Sequence, residues 1–190
     1  MTRRLCVFAL LAALLLTAVP NGATAGPLTE QLQAAVGRVF TALEAPDRRA
    51  AVTRISRDLF DWTEMARRSL GRHWEALTDA EREEFTALLG RLVDARLVML
   101  AGYTGAGIEY VDESVDGDQA VVRTKIATTQ GRGMILDYLM ARRDGRWLIY
   151  DVVADGSSMV GNYRAQFTHI MKTASYTKLV ERPTADWSRS

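Results

Sequence analysis

The sequence predicts an α+β protein, in which helices from the first half of the chain pack on a curved antiparallel sheet and a further helix follows the sheet. Three observations support this fold class. Apolar residues recur every three or four positions up to about residue 100. Between residues 108 and 154 the apolar period changes to two, with short glycine-containing turns. From Ser157 onward the helical period returns.

Four amphipathic segments in the first half are predicted to be helices. Pro46 stops the first segment, and Gly71 ends the third. Thr78 and Glu81 form a capping box that begins the fourth, and glycines at 102 and 105 close it. The apolar positions that define these helices lie within Leu28–Leu43, Ala51–Leu59, Phe60–Leu70 and Phe85–Leu100.

The middle of the chain is predicted to form a meander of about four strands. Asp116-Gly117 and Asp144-Gly145 are typical hairpin turns, and a glycine-rich turn over 130–133 joins the second strand to the third. A C-terminal helix over about 157–173 and a short helical tail over 176–180 complete the domain. The predicted strands are Ile108–Val115, Ala120–Thr128, Met134–Arg142 and Trp147–Ala154.

The strands differ in polarity. The second strand carries Arg123 and Lys125 on one side, so that side is expected to face water. The third and fourth strands carry apolar residues on both sides. Both faces of these two strands are therefore expected to be covered by helices from the first half.

The first 25 residues have the organisation of a secretory signal peptide. Arg3 and Arg4 precede an apolar run over 5–19, and Ala23-Thr24-Ala25 supplies a cleavage site. We expect residues 1–25 to be removed and residues 26–190 to form one domain in the periplasm. The single cysteine, Cys6, lies in the signal, so the mature chain has no disulfide.

The charge balance excludes one broad class of partners. The chain has 24 Lys and Arg residues against 23 Asp and Glu residues, for a net charge of +1. No strong field attracts it to nucleic acid or to anionic lipid headgroups.

Motifs for metal binding, hydrolysis and phosphate binding are absent from the sequence. His73 and His169 lack any ligand spacing, and the glycines around Arg132 do not make a phosphate loop. Ser157-Ser158 lacks a nucleophile elbow, and we expect it to cap a helix. The sequence therefore predicts no catalytic residue, no metal and no cofactor.

Two carboxylates leave an enzymatic alternative open. Asp137 and Asp151 lie within apolar strands, where an ionised group is costly unless it is paired. One of them could act as the general base of a small cone-shaped α+β enzyme. The simpler interpretation pairs them with arginines, for which Arg57, Arg142, Arg143 and Arg164 are candidates.

Several blocks of the sequence resemble the MlaC-type, or toluene-tolerance, family of periplasmic lipid-binding proteins. The similarity covers nearly the whole of the expected mature chain. The blocks are DWTEMARRSLGRHW from Asp61, TDAEREEF from Thr78, WLIYDVVADGSSMV from Trp147, and Asn162-Tyr163-Arg164 with Gln166-Phe167. Two positions depart from the family pattern, since Asp155 replaces the usual Glu and Ser157 replaces the usual Val.

The resemblance implies a non-enzymatic phospholipid carrier with an internal apolar pocket for the acyl tails. Its cargo would be phospholipid. Its implied partners are an inner-membrane ABC transporter complex with a periplasmic lipid-binding ring and an outer-membrane lipoprotein–porin complex. Because hopanoid-associated relatives share the pattern, a polycyclic lipid is an alternative cargo.

The resemblance also directs attention to the apolar faces that converge between the strands and helices. The same pattern is compatible with a solid core, because patterning does not distinguish a filled interior from a hollow one. The residues expected to bind lipid are Leu97, Leu100, Tyr103, Val122, Ile126, Met134, Leu136, Tyr138, Tyr150, Val152, Met159 and Tyr163.

Overall fold

The computed structural model describes residues 26–99, 107–127 and 133–182. It consists of helices and an antiparallel sheet, so the predicted α+β class is confirmed. Within those ranges, no helix combines the length and the apolar character that crossing a bilayer requires. The predicted signal segment, the predicted end of the fourth helix over 100–105, Thr128 at the end of the second predicted strand and most of the predicted turn over 130–133 lie outside the described residues.

In the part of the chain that the structure describes, four helices precede the sheet and two follow it. The first three helices are α1 (Pro27–Glu44), α2 (Arg48–Leu59) and α3 (Trp62–Leu70). A 3₁₀ turn over Gly71–Ala76 leads into α4 (Asp79–Met99). The helices after the sheet are α5 (Met159–Thr173) and α6 (Tyr176–Val180).

The sheet has five strands in sequential order, one more than the predicted meander. The additional strand is two residues long and forms after a turn in which Asp155 and Gly156 adopt positive φ angles of 46° and 82°. It delays the start of α5 to Met159. The strands are β1 (Ile108–Asp116), β2 (Gln119–Ile126), β3 (Met134–Arg143), β4 (Arg146–Ala154) and β5 (Ser157–Ser158).

The predicted caps at Thr78–Glu81 and at Ser157-Ser158 are present, whereas the glycines at 102 and 105, expected to close the fourth helix, lie outside the described residues. The Thr78 backbone N–H donates to Glu81 Oε2 at 2.8 Å, and the Glu81 N–H donates to Thr78 Oγ1 at 3.3 Å. The Thr78 hydroxyl also donates to Glu81 Oε2, and the bonds from the Thr78 N–H and hydroxyl lower the pKa of the exposed Glu81 carboxyl. Ser158 caps α5, because its Oγ accepts from the Gly161 N–H at 2.8 Å.

Side-chain bonds hold the first helices in place. Glu113 of β1 accepts hydrogen bonds from both the backbone N–H and the hydroxyl of Thr29, each at 2.7 Å, which fixes the first turn of α1 against the sheet edge. Asp94 of α4 accepts from Thr53 at 2.6 Å and from Ser56 at 2.7 Å. α2 is therefore held against α4.

The expectation that helices cover both faces of β3 and β4 is wrong for part of β3. Arg123 of β2 pairs with Asp137 of β3 on a solvent-exposed part of the sheet, with N–O distances of 2.6 and 2.9 Å. The neighbouring Ile135 and Leu139 are only half-buried. An ion pair across two strands tolerates water, so this patch needs no helix above it.

The main core lies where α3, α4 and α5 meet. Phe85 of α4 and Phe167 of α5 contact edge to face at 5.1 Å, and both are fully buried. A smaller apolar cluster joins α1 to α2 around Val39 and Val52.

Candidate functional site

An apolar cavity of about 330 Å³ lies between α1, the last turns of α4, the first turns of α5 and one face of the sheet. Its size lies at the lower end of the range for small-molecule pockets. The walls are aliphatic or aromatic except at a few positions. The lining residues are Leu32, Val36, Val39, Phe40, Leu59, Phe60, Val93, Arg96, Leu97, Ile108, Ile126, Met134, Leu136, Tyr138, Ile149, Val152, Ala154, Ser157, Met159, Asn162, Tyr163 and Gln166.

The wall contributed by α1 follows from helical spacing. Leu32, Val36, Val39 and Phe40 are three or four positions apart, so they share one face of the helix. Leu32 and Val39 are buried, whereas Val36 and Phe40 are half-buried. Because Glu113 anchors the first turn of this helix to β1, the apolar face is held across the cavity from the strands.

The sheet contributes its wall through cross-strand neighbours. Ile126 pairs with Met134, and Tyr138 pairs with Val152. Side chains at paired positions project from the same face of a sheet, so these four lie side by side. The sheet wall is therefore a continuous apolar surface across β2, β3 and β4.

A β-bulge in β4 changes which residues reach the cavity. Leu139 pairs with Asp151, but the next pair joins Met140 to Ile149, so Tyr150 is the extra residue. Simple alternation would place Tyr150 beside Val152, as the sequence analysis assumed. The bulge instead brings Ile149 to the cavity, and the Tyr150 hydroxyl donates to Gln119 Oε1 at 3.1 Å.

The wall formed by α5 is positioned by a buried carboxylate. Asp151 accepts hydrogen bonds from the Ser158 hydroxyl at 2.5 Å and from the Val160 N–H at 3.0 Å. These bonds tie the first turn of α5 to β4 and satisfy a free helix N–H. Met159 and Tyr163, one turn apart, then face the cavity.

The tyrosines in the wall are uncharged at neutral pH. Burial raises the pKa of Tyr138 to about 12 and also raises the pKa of Tyr163. Arg96, near the Tyr163 hydroxyl, partly opposes the second shift. Arg96 is the one charged residue among the described lining residues, so the cavity is suited to an apolar ligand.

A second hollow of about 830 Å³ is a wide groove between α2, the α3 region and α4. It is larger than the cavity but much more polar. Trp62 and Trp74 lie in its wall among charged side chains of both signs, which disfavour hydrocarbon. The charged residues in this groove are Arg57, Arg82, Arg91, Asp79, Glu83 and Asp94.

The structure brings most of the predicted lipid-binding residues together. Val122 does not line the cavity and is fully buried in the core. Tyr150 also lies elsewhere, with the Arg68 guanidinium 4.2 Å from its ring centre. Leu100 and Tyr103 lie outside the described residues. The predicted residues that line the cavity are Leu97, Ile126, Met134, Leu136, Tyr138, Val152, Met159 and Tyr163.

Sequence reasoning missed the α1 wall and Ile149. The apolar stripe of α1 was recognised, but its spacing is the same whether the helix covers a solid core or a cavity. Arg96, Asn162 and Gln166 also line the cavity without having been predicted, because polar side chains are not expected in an apolar wall. Ser157, noted as a departure from the family pattern, does line the cavity.

The two carboxylates considered as general bases are both engaged in structural bonds. The bidentate bond from Arg123 lowers the pKa of Asp137, which is opposite to the shift expected for a proton acceptor in an apolar pocket. Its partner is none of the arginines suggested by the sequence. Asp151 caps α5. Across the described ranges, no cluster of His, Cys, Asp or Glu has the geometry of a metal site.

The sequence and the fold are both similar to those of known proteins. The chain is 24% identical over 119 residues to an intermembrane phospholipid transport system binding protein MlaC of Haemophilus influenzae; the match covers 60% of this chain and 56% of that relative. The fold is similar to a phospholipid-binding protein from Ralstonia solanacearum, solved in complex with a phospholipid. That likeness has a TM-score of 0.68 at 21% identity and covers 80% of this chain and 92% of the other.

The sequence profile described as MlaC protein matches residues 29–182, which span all the described helices and strands apart from the first two residues of α1. The matched segment covers α1, the sheet and α5, the elements that enclose the cavity. The chain therefore belongs to the MlaC protein family.

Proposed function

We propose that this chain is a periplasmic phospholipid carrier, which encloses acyl tails in the cavity between α1, α4, α5 and the sheet. The observation that carries the proposal is the cavity itself, an apolar hollow at a place where a domain of this size would ordinarily be filled by side chains. Family membership and the phospholipid bound to the similar Ralstonia protein support the choice of cargo.

Burial of the acyl tails is sufficient to provide the binding free energy of such a carrier. Each methylene that leaves water contributes about 0.8 kcal/mol, so ten sheltered methylenes contribute about 8 kcal/mol. A similar gain is available in a bilayer, so transfer between membrane and protein is close to balanced. No covalent step is needed to load or release the lipid.

The free volume is smaller than a two-chain phospholipid, so the walls must adapt when tails bind. Met134 and Met159 line the cavity and have flexible, unbranched side chains that can move aside. Val36 and Phe40 of α1 are only half-buried, which leaves this helix face free to shift outward. We infer that the headgroup stays near the protein surface.

Membership of the MlaC protein family also supports a proposal about where the carrier takes its lipid. We propose that the chain is exported by residues 1–25 and carries lipid between an outer-membrane lipoprotein–porin complex and an inner-membrane ABC transporter with its periplasmic lipid-binding ring. The name of the Haemophilus relative, a component of an intermembrane phospholipid transport system, supports this role. A hopanoid in the same cavity is the alternative cargo, and lipid identification separates the two.

Native mass spectrometry with lipid extraction tests the proposal. The protein purified from cells should carry phospholipid, and Val152→Asp should remove it, because a carboxylate in the wall is costly to bury against hydrocarbon. Val115→Asp is the matched control, since Val115 is 55% exposed on β1 and does not line the cavity. Equal lipid occupancy in folded Val152→Asp and wild type would overturn the cavity assignment.

A further inference from the structure

The polar residues of the cavity wall are concentrated where α4 faces α5. Arg96 comes from α4, and Asn162 and Gln166 come from one face of α5, four positions apart. The wall formed by the strands carries two polar side chains among the described residues, Tyr138 of β3 and Ser157 of β5, and neither is charged or carries an amide. The cavity therefore has a polar side and an apolar side.

No carboxylate of the described residues forms an ion pair with Arg96. No ion pair within the described ranges includes it, and no Asp or Glu is among the described lining residues. Its side chain is exposed at the rim, next to the Tyr163 hydroxyl. The Arg96 guanidinium donates a hydrogen bond to the Tyr163 hydroxyl, and its remaining N–H donors are available for an anion.

Gln166 provides a second, independent observation. Its Oε1 atom is buried and makes no hydrogen bond within the part of the chain that the structure describes. A buried acceptor without a partner is costly, so Gln166 Oε1, in the cavity wall, is available to a donor group of a ligand that enters the cavity. Asn162, one turn away, is exposed at the same rim and adds a second side-chain amide.

We propose that Arg96, Asn162 and Gln166 form a headgroup site at the rim of the cavity. Arg96 binds the phosphate diester, and Gln166 Oε1 accepts a hydrogen bond from a hydroxyl or ammonium group of the same headgroup. This site makes a phospholipid a better ligand than a neutral lipid with the same tails. It rests on the proposed lipid-carrier function and adds a preference that burial of tails cannot provide.

A competition within one sample tests this proposal. Delipidated full-length protein is incubated with vesicles that contain equal amounts of phosphatidylglycerol and diacylglycerol with identical acyl chains. The protein is then separated, and native mass spectrometry gives the ratio of the two bound lipids. The ratio is measured on folded, loaded molecules, so partial loss of folded protein does not affect it.

The expected result is a wild-type ratio that favours phosphatidylglycerol. Arg96→Gln should lower this ratio about tenfold, the effect of losing a charge-assisted hydrogen bond. Gln166→Leu should lower it about threefold, the effect of a neutral hydrogen bond. Arg91→Gln is the matched control, because Arg91 is exposed on α4 and lines the groove instead of the cavity.

The other outcomes separate the possible failures. An unchanged ratio in Arg96→Gln, or equal loss of both lipids, overturns the headgroup site while leaving the carrier function intact. Failure of the wild type to bind either lipid overturns the carrier function itself. Inorganic phosphate that binds the wild type as tightly as the lipid, and is lost in Arg96→Gln, assigns the site to free phosphate and contradicts the lipid assignment.

Discussion

Two regions of the same helices differ in how completely their side chains fill the space between them. In α4, Phe85 and Leu88 are fully enclosed, whereas Leu97 is half-buried beside the cavity. In α5, Phe167 packs in the core, and Tyr163, one turn earlier and stacked on it at 5.6 Å, lines the cavity. The apolar spacing continues unchanged from one region to the other, so the hollow depends on how far apart the elements lie.

The difference in packing predicts unequal costs for the same substitution. Leu88→Ala should lower the free energy of unfolding by about 3–5 kcal/mol, because it opens a void in a filled core. Leu97→Ala should cost only about 1 kcal/mol, since part of its side chain already borders free space. Urea unfolding of the lipid-free proteins measures both values. Equal losses would indicate that the cavity closes in solution.

Asp151 connects the two regions, because it fixes the helix that passes through both. Asp151→Ala should lower the free energy of unfolding by about 2–3 kcal/mol, since the Ser158 hydroxyl and the Val160 N–H lose their acceptor. Lipid occupancy should fall as well, because Met159 and Tyr163 lose their position in the wall. Urea unfolding and native mass spectrometry provide the two measurements.

Asp137→Ala is the control for this variant. It breaks an exposed pair with Arg123 and should cost less than about 1 kcal/mol. The enzymatic alternative predicts another result. It would be favoured if the wild type converted a small ketone and Asp151→Ala lost that activity while keeping its stability.

The smallest expected effect is a pH dependence confined to the packed region. Hydrogen bonds from Arg67 and Arg68 lower the pKa of Glu64, in α3, to about 2. The stabilisation is present above the ordinary value of 4.5 and is lost as pH falls toward 2. Glu64→Gln should cost about 1 kcal/mol at pH 7, because both guanidinium groups are exposed to solvent.

Unfolding of wild type and Glu64→Gln at pH 7 and pH 3 checks this dependence. The difference in free energy of unfolding between wild type and Glu64→Gln should be smaller at pH 3 than at pH 7. The substitution should not change lipid occupancy at pH 7. An equal difference in unfolding free energy at pH 7 and pH 3 would mean that the Glu64 carboxylate does not stabilise the fold through its charge.

Much of the fold was predictable because its signals are local. Pro46, Gly71 and the Thr78–Glu81 capping box act on neighbouring residues, and each marks a helix end in the structure. The hairpin glycines Gly117 and Gly145 adopt the positive φ that the predicted turns require. Such features follow from steric limits and hydrogen bonds over a few residues.

The cavity was less predictable because it depends on distant elements. The bulge that moves Tyr150 out of the wall and Ile149 into it breaks the alternation on which strand prediction relies. The α1 wall depends on an anchor to Glu113, 84 positions from Thr29 along the chain. No short-range pattern reports contacts of that kind.

A crystal structure of the protein loaded with a phospholipid whose acyl tails carry bromine tests the central claim most directly. Anomalous scattering should locate the bromine atoms inside the cavity, between Val36 of α1 and Tyr138 of β3. Bromine in the groove beside Trp62 and Trp74, with side chains closing the space between α1 and the sheet, would contradict the account.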